Sequence, residues 1–126
     1  MANLLIVEDD ESVRSLAARA LERAGHTVTL AGDGEQGLAA ICKAGGRFDL
    51  VVSDIRMPAM DGIEMARSAA QRYPQLRILL VTGYADQRER AAELSGTVVG
   101  VLQKPFTLGD IRDRVAAALA EPALAS

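Results

Sequence analysis

The sequence is poor in the residues that mark several protein classes, and each shortage excludes one class. A single cysteine, Cys42, excludes an internal disulfide framework and any zinc site built from several cysteines. The longest apolar runs, such as residues 78–81, are far too short to form a membrane-spanning helix. The 14 Lys and Arg residues are outnumbered by 17 Asp and Glu residues, which gives a net charge of −3. The chain therefore lacks the clustered basic charge that is typical of nucleic-acid binders.

The first residues also lack the basic start and the long apolar stretch of a secretory signal peptide. What the chain does contain is a globular composition, with 49% hydrophobic and 25% charged residues and a mean hydropathy of +0.11. Its 126 residues are enough for one ordinary domain. We therefore expect a cytoplasmic domain at residues 3–120, followed by a short flexible tail at residues 121–126.

Short β-branched runs alternate with longer amphipathic segments along the chain. The runs predict strands at residues 4–7, 27–31, 50–53, 78–81 and 98–102. The longer segments predict helices at about residues 13–24, 34–44, 62–73, 87–94 and 108–119. Asp33, Asp61 and Thr107 are typical N-cap residues for three of these helices. Strand–helix units of this length favour an α/β fold, a doubly wound five-stranded parallel sheet with helices on both faces.

Polar side chains follow four of the predicted strands, at the edge where open α/β sheets bind their ligands. These residues are Glu8 and Asp9 after the first strand, Asp54 after the third, Thr82 after the fourth and Lys104 after the fifth. Three carboxylates that converge on one spot repel each other, so they need a counter-charge. A hard divalent cation that prefers oxygen ligands, Mg²⁺, is the natural partner.

A carboxylate, a hydroxyl and an ammonium beside such a cation suit phosphoryl transfer. Asp54 is the candidate nucleophile, the cation and Lys104 would neutralise phosphoryl oxygens, and Thr82 would donate a hydrogen bond to one of them. The acids at residues 8–11 would, by a simpler interpretation, only complement the positive end of the following helix. That interpretation does not explain why four strand ends carry an acid, a hydroxyl or an ammonium.

Four motifs make the sequence resemble the receiver domains of two-component response regulators. They are Val7-Glu8-Asp9-Asp10, Asp54-Ile55-Arg56-Met57-Pro58-Ala59-Met60-Asp61-Gly62, Thr82-Gly83 and Lys104-Pro105-Phe106. The resemblance covers about residues 3–120. It implies a flavodoxin-like (β/α)5 fold with the strand order 2-1-3-4-5.

The resemblance also implies a function. Asp54 would accept a phosphoryl group from a histidine kinase or a histidine phosphotransfer protein, and Thr82 and Lys104 would contact that group. The implied Mg²⁺ ligands are Glu8, Asp9, Asp54 and the backbone carbonyl of Arg56. Such a domain is not a conventional enzyme, because it catalyses only its own phosphorylation and dephosphorylation.

The switch region departs from the usual pattern of the family. Many receivers carry an aromatic ring three residues before the active-site lysine, where this sequence has Val101. Tyr84, two residues after the threonine, is the nearby aromatic residue that could replace it. The peptide bond before Pro105 is often cis in relatives.

The sequence shows no output domain, so we expect output to pass through a downstream protein. The expected contact face is formed by the fourth predicted helix, the fifth strand and the fifth helix, about residues 87–119. We expect no direct binding of nucleic acid or membrane.

Three alternatives to a stand-alone receiver remain. Stretches 82–86 and 103–107 are similar to the C-terminal receivers of hybrid sensor kinases, although Met1 directly before the first strand favours a stand-alone chain. A phosphatase with an aspartyl nucleophile would need an acid two residues later, where Arg56 stands. A flavin or nucleotide binder would need a glycine-rich turn where the acidic residues 8–11 lie.

Overall fold

The computed structural model of the chain describes residues 2–57, 59–83 and 98–120. Its elements in chain order are β1 (Asn3–Val7), α1 (Glu11–Arg23), β2 (Thr27–Ala31), α2 (Gly34–Lys43), β3 (Leu50–Asp54), α3 (Gly62–Arg72), β4 (Ile78–Thr82), β5 (Gly100–Gln103) and α4 (Leu108–Ala120). The predicted helix at 87–94 and the predicted tail at 121–126 lie outside the described residues, so the fifth predicted helix is α4 here. No helix in the described ranges is long and apolar enough to cross a membrane.

The five strands pair in parallel in the order β2-β1-β3-β4-β5, which confirms the predicted topology. After β1 the chain forms β2 on one side of that strand and then crosses to form β3 on its other side. The sheet therefore has its topological switch point between β1 and β3, where a crevice opens outside the strand ends. In the register, Val7 lies opposite Ser53, and Asp54 lies opposite Val81.

Both faces of the central strands β1, β3 and β4 are buried, because each face of the sheet is covered by a pair of helices. Alternating residues of the central strands contribute to two separate cores. The core under α2 and α3 includes Leu5, Val7, Val51, Ile78 and Leu80. The core under α1 and α4 includes Leu4, Ile6, Val52, Leu79 and Val81. This two-sided burial explains why the central strands appear as continuous apolar runs rather than alternating ones.

Side-chain caps start the helices where the sequence predicts them. The Oδ1 atoms of Asp33 and Asp61 each accept a backbone hydrogen bond three residues later, at 2.8 Å. Thr107 and Asp110 cap α4 reciprocally, each accepting from the backbone N–H of the other at 3.0 and 2.9 Å. Such caps satisfy N–H groups that have no partner inside the helix.

The last strand differs from the prediction, because β5 begins at Gly100 rather than at residue 98. The backbone N–H of Val99 already donates to Ile78 at 2.8 Å, but the Val99 carbonyl accepts from the Arg114 side chain at 3.2 Å. The Arg114 side chain of α4 therefore contacts the backbone directly before β5.

Candidate functional site

The predicted site residues converge at the carboxyl edge of the sheet. Asp54 is the last residue of β3, Thr82 is the last of β4, and Glu8 directly follows β1. All three are buried although they are polar, with relative exposures of 8% for Asp54, 0% for Thr82 and 5% for Glu8. Asp9, in contrast, is exposed. Carboxylate oxygens of Glu8, Asp9 and Asp54 lie within 4.8 Å of one another.

Lys104 places its ammonium between the two buried carboxylates. Its Nζ atom lies 3.0 Å from Glu8 Oε1 and 3.1 Å from Asp54 Oδ2. Its backbone N–H donates to the carbonyl of Thr82 at 2.7 Å, so the residue is anchored beside the end of β4. The second oxygen of Asp54, Oδ1, accepts from the backbone N–H of Ile55 at 3.0 Å. Both oxygens of the Asp54 carboxylate are therefore held in position.

The surroundings of Glu8 and Lys104 shift the pKa of each of these two groups. Burial, followed by the negative charge of Asp54, raises the pKa of Glu8 to about 7, although Lys104 partly opposes this shift. Burial alone would lower the pKa of Lys104, but hydrogen bonding to Glu8 and the charge of Asp54 together raise it above its ordinary value. The ammonium is therefore the counter-charge that the carboxylates require in the absence of a metal ion.

The donor set at this edge fits a hard divalent cation. Three carboxylates supply oxygen ligands, which Mg²⁺ prefers, and a cavity of about 700 Å³ opens beside them. Arg56 and Gly83 line the same cavity. Asp10 also lines it, but its Oδ1 caps α1 by accepting from the backbone N–H groups of Ser12 and Val13 at 2.9 and 3.1 Å.

The remaining predicted residues are placed as follows. Pro105 follows a cis peptide bond and lines the cavity. Val101, which stands where many receivers carry an aromatic ring, is half-buried and packs against the core under α2 and α3. Tyr84 lies outside the described residues. The capping role of Asp10 was missed by the sequence analysis, although an aspartate directly before a helix is itself an N-cap signal.

Gly62 was also missed as a residue that shapes the site. Its backbone N–H donates to the carbonyl of Ile55 at 2.8 Å, which brings the start of α3 against the end of β3. A Cβ atom at position 62 would collide with the backbone carbonyl oxygen of Asp54. Only glycine allows this close approach, because every other residue carries a Cβ.

We expect Gly62→Ala to lower the free energy of unfolding by about 2–3 kcal/mol, because backbone rather than a flexible side chain must move. Urea unfolding followed by circular dichroism measures the change. Gly109→Ala is the matched control, since a Cβ there would meet Thr107 Oγ1 at an ordinary 3.7 Å. That control should be neutral or stabilising by up to about 1 kcal/mol. Equal stabilities of the two variants would contradict the expected collision at Asp54.

Comparisons with known proteins agree with this geometry. A family model described as the response regulator receiver domain matches residues 4–116. The response regulator receiver protein CpdR of Brucella abortus is 36% identical over 115 residues, which are 91% of this chain and 94% of CpdR. The sensor kinase CckA of the same organism is 36% identical over 114 residues, which are 90% of this chain but 12% of CckA.

Solved structures show the same fold. The chemotaxis response regulator CheY4 of Vibrio cholerae superimposes with a TM-score of 0.84 at 30% identity, over 94% of this chain and 98% of that one.

The chain spans only part of several curated relatives, including 44% of the transcriptional regulatory protein TcrA of Mycobacterium tuberculosis. The match to the receiver model spans nearly all of the described fold and every strand end that forms the acidic site. The chain belongs to the response regulator receiver domain family.

Proposed function

We propose that this chain is a phosphorylation-dependent switch in which Asp54 accepts a phosphoryl group from a phosphohistidine. The observation that carries the proposal is the position of the Lys104 ammonium, 3.0 Å from Glu8 and 3.1 Å from Asp54. A buried carboxylate with a neighbouring ammonium and further acids combines a nucleophile with the charges that phosphoryl transfer requires. Transfer from acetyl phosphate, followed by intact mass, tests the acceptor role directly, and transfer from a phosphorylated histidine kinase tests the donor.

In the proposed step, one carboxylate oxygen of Asp54 forms a bond to phosphorus, and the bond from phosphorus to the donor imidazole nitrogen breaks. The electron pair of that bond returns to the imidazole. Asp54 suits the nucleophilic role because its neighbours already hold both of its oxygens, so little reorganisation is needed. Its burial also limits access of water to the acyl phosphate.

Lys104 and Thr82 would stabilise the transferred group. The ammonium is positioned to pair with a phosphoryl oxygen once the charge of Asp54 is taken up by the new bond. Thr82, at the end of the neighbouring strand, would donate its hydroxyl. Mg²⁺, when bound by Glu8, Asp9, Asp54 and the Arg56 carbonyl, would neutralise charge that builds up on the phosphoryl oxygens.

The receiver unit that we propose spans residues 3–120, and its catalysis is limited to gaining and losing its own phosphoryl group. Receiver domains take this group from histidine kinases, and a histidine phosphotransfer protein is the other proposed donor. The proposed output is a downstream protein that contacts the face from the predicted helix at 87–94 through β5 to α4, of which the structure describes only β5 and α4. We propose that the domain acts in the cytoplasm and binds neither nucleic acid nor membrane directly.

A receiver segment of a hybrid kinase is the second candidate. The similarity to CckA favours this candidate, because CckA and CpdR are both 36% identical to this chain. The chain covers 94% of CpdR but only 12% of CckA, which is a much longer protein. The genomic reading frame on both sides of this sequence distinguishes the two candidates. An aspartyl phosphatase is a weaker hypothesis, because Arg56 stands where its second acid would be needed.

In the proposed metal site the neighbouring residues Asp9 and Asp10 have different roles, since Asp9 is a ligand and Asp10 is a helix cap. We expect Asp9→Ala to weaken Mg²⁺ binding by about tenfold or more, because it removes one charged oxygen ligand. We expect Asp10→Ala to change the Mg²⁺ affinity less than about twofold, since that carboxylate is engaged in capping, but to cost about 1 kcal/mol of stability. Calorimetric titration and urea unfolding of both variants give the two measurements.

The two variants are each other's controls, because they remove the same charge from adjacent positions. Equal losses of Mg²⁺ affinity would contradict the assignment of Asp9 as a ligand and Asp10 as a cap.

A further inference from the structure

Arg14 reaches the acidic site from the first turns of α1. Its backbone N–H makes an early bond of that helix, to the carbonyl of Asp10 at 2.9 Å. Long side chains on a helix lie back toward its N-terminus. Accordingly, Nη1 of the half-buried Arg14 donates to the backbone carbonyl of Glu8 at 2.8 Å. Because a charged donor is involved, this contact is stronger than a bond between neutral groups.

The carbonyl that Arg14 holds belongs to the peptide group joining the two adjacent acids, Glu8 and Asp9. This group is planar, so fixing its oxygen also fixes its N–H and the direction in which the Asp9 backbone begins. The preceding N–H, that of Glu8, donates to the carbonyl of Ala31 at 3.1 Å. The Glu8 backbone is thus held from β2 on one side and from α1 on the other.

The Glu8 carboxylate is held as well, since its Oε2 accepts from the backbone N–H of Asp10 at 3.3 Å. The guanidinium of Arg14 also lies near the turn after β2, where a Cβ at Gly32 would be 3.5 Å from Nη1. That turn is itself tied by a 2.9 Å bond from the Gly32 N–H to Gln36 Oε1. The guanidinium of Arg14 therefore holds the peptide between the two acids and lies close to a braced neighbouring turn.

We propose that Arg14 is a positioning residue for the metal site, acting through the peptide group between Glu8 and Asp9. The inference rests on the Mg²⁺ site proposed above. By orienting that peptide, the guanidinium sets the position from which the exposed Asp9 carboxylate approaches the buried pair. Groups that orient metal ligands in this way commonly affect metal affinity by tenfold or more when removed.

Removing Arg14 has two opposite expected effects on the Mg²⁺ affinity, one from the loss of its charge and one from the loss of its hydrogen bond to the Glu8 carbonyl. A cation beside an acidic site repels Mg²⁺, so the loss of its charge alone would strengthen metal binding. The loss of an orienting contact would weaken metal binding. Arg19, which is exposed on the same helix, provides the matched control, because Arg19→Met removes the same charge without a contact to the site.

Calorimetric titration of the full chain with Mg²⁺ tests the proposal. We expect Arg14→Met to weaken Mg²⁺ binding by about tenfold, and Arg19→Met to leave it unchanged or slightly stronger. Arg14→Lys keeps the charge but is one bond shorter, so its contact lengthens and affinity should fall about twofold to threefold. Urea unfolding in EDTA measures whether each variant remains folded under the titration conditions.

Wild-type affinity in either Arg14 variant would overturn the positioning role. So would a loss in Arg19→Met equal to that in Arg14→Met. A lower stability of Arg14→Met with unchanged affinity would identify a purely structural role and would also overturn it. If Arg14→Met does not fold, the Arg14→Lys titration decides the question. Failure of the wild-type chain to bind Mg²⁺ would instead refute the metal site itself.

Discussion

Asp54→Asn is expected to abolish phosphorylation of this chain by acetyl phosphate and Mg²⁺. The wild-type protein should gain the mass of one phosphoryl group, and the variant should stay below about one hundredth of that labelling because an amide is not a competent nucleophile. The product should be labile to acid and base, since an acyl phosphate is a reactive mixed anhydride. Reduction with borohydride before peptide mapping would mark the modified residue as homoserine.

Two neighbouring acids make a control necessary, because Glu8 and Asp9 lie within 4.8 Å of Asp54 and are carboxylates too. Asp9→Asn should also label poorly at low Mg²⁺, but its labelling should recover as Mg²⁺ is raised. Labelling of Asp54→Asn should not recover at any Mg²⁺ concentration. Wild-type labelling of Asp54→Asn would refute the assignment of the phosphoacceptor. So would homoserine at position 9, or 2-amino-5-hydroxypentanoic acid at position 8, in the wild-type protein.

Lys104→Met is expected to destabilise the metal-free protein at neutral pH by about 2 kcal/mol, because it removes the charge shared by two buried carboxylates. This loss of stability is smaller than that expected for a fully buried ion pair, because the Lys104 side chain is 29% exposed and solvent screens its charge. Urea unfolding in EDTA measures the loss. Lys43→Met is the matched control, since Lys43 is exposed in the last turn of α2, and it should change stability little.

The destabilisation should depend on pH in a defined direction. Glu8 has a pKa of about 7 in the folded protein, above its ordinary value of 4.5, so between these values the folded state binds more protons than the unfolded state. Stability therefore falls as pH rises through this window. Removing Lys104 raises the pKa of Glu8 further, so the gap between variant and wild type should widen from pH 5 to pH 8.

Two additional measurements identify the cause. Glu8→Gln in the Lys104→Met background should recover part of the lost stability, because one buried charge is then absent. Mg²⁺ should recover stability as well, since a divalent cation replaces the ammonium as counter-charge. A gap that stays constant between pH 5 and pH 8 would show that Lys104 contributes packing rather than charge.

The features that local sequence encodes were predicted well. The strand at residues 27–31 and the caps at Asp33, Asp61 and Thr107 are found as expected. Hydrophobic periodicity and cap chemistry act over a few residues, so both can be recognised without knowing the fold. The start of β5 lies two residues after the predicted start, and the residue directly before this strand contacts Arg114, which is 15 residues away along the chain.

The residue types of the site were also predictable, since strand ends in a parallel sheet must share one edge. The sequence could not predict how those side chains pair. The two contacts of the Lys104 ammonium span 96 residues to Glu8 and 50 residues to Asp54. The raised pKa of Glu8 follows from this pairing together with burial, and burial depends on every element that covers the site.

By itself, the sequence determined the order of the described elements, the parallel sheet and the family. It also determined which acids, hydroxyl and ammonium lie at the carboxyl edge of the sheet. Periodicity, caps and motifs are local patterns, so they can be recognised without the fold. The tertiary structure alone decided that Gly62 closes against the Asp54 backbone and that Arg14 holds the peptide between Glu8 and Asp9. Each of these contacts brings the first turn of a helix against the end of the strand that precedes it. Their geometry exists only once the helices have packed against the sheet, which is why no spacing in the sequence encodes it.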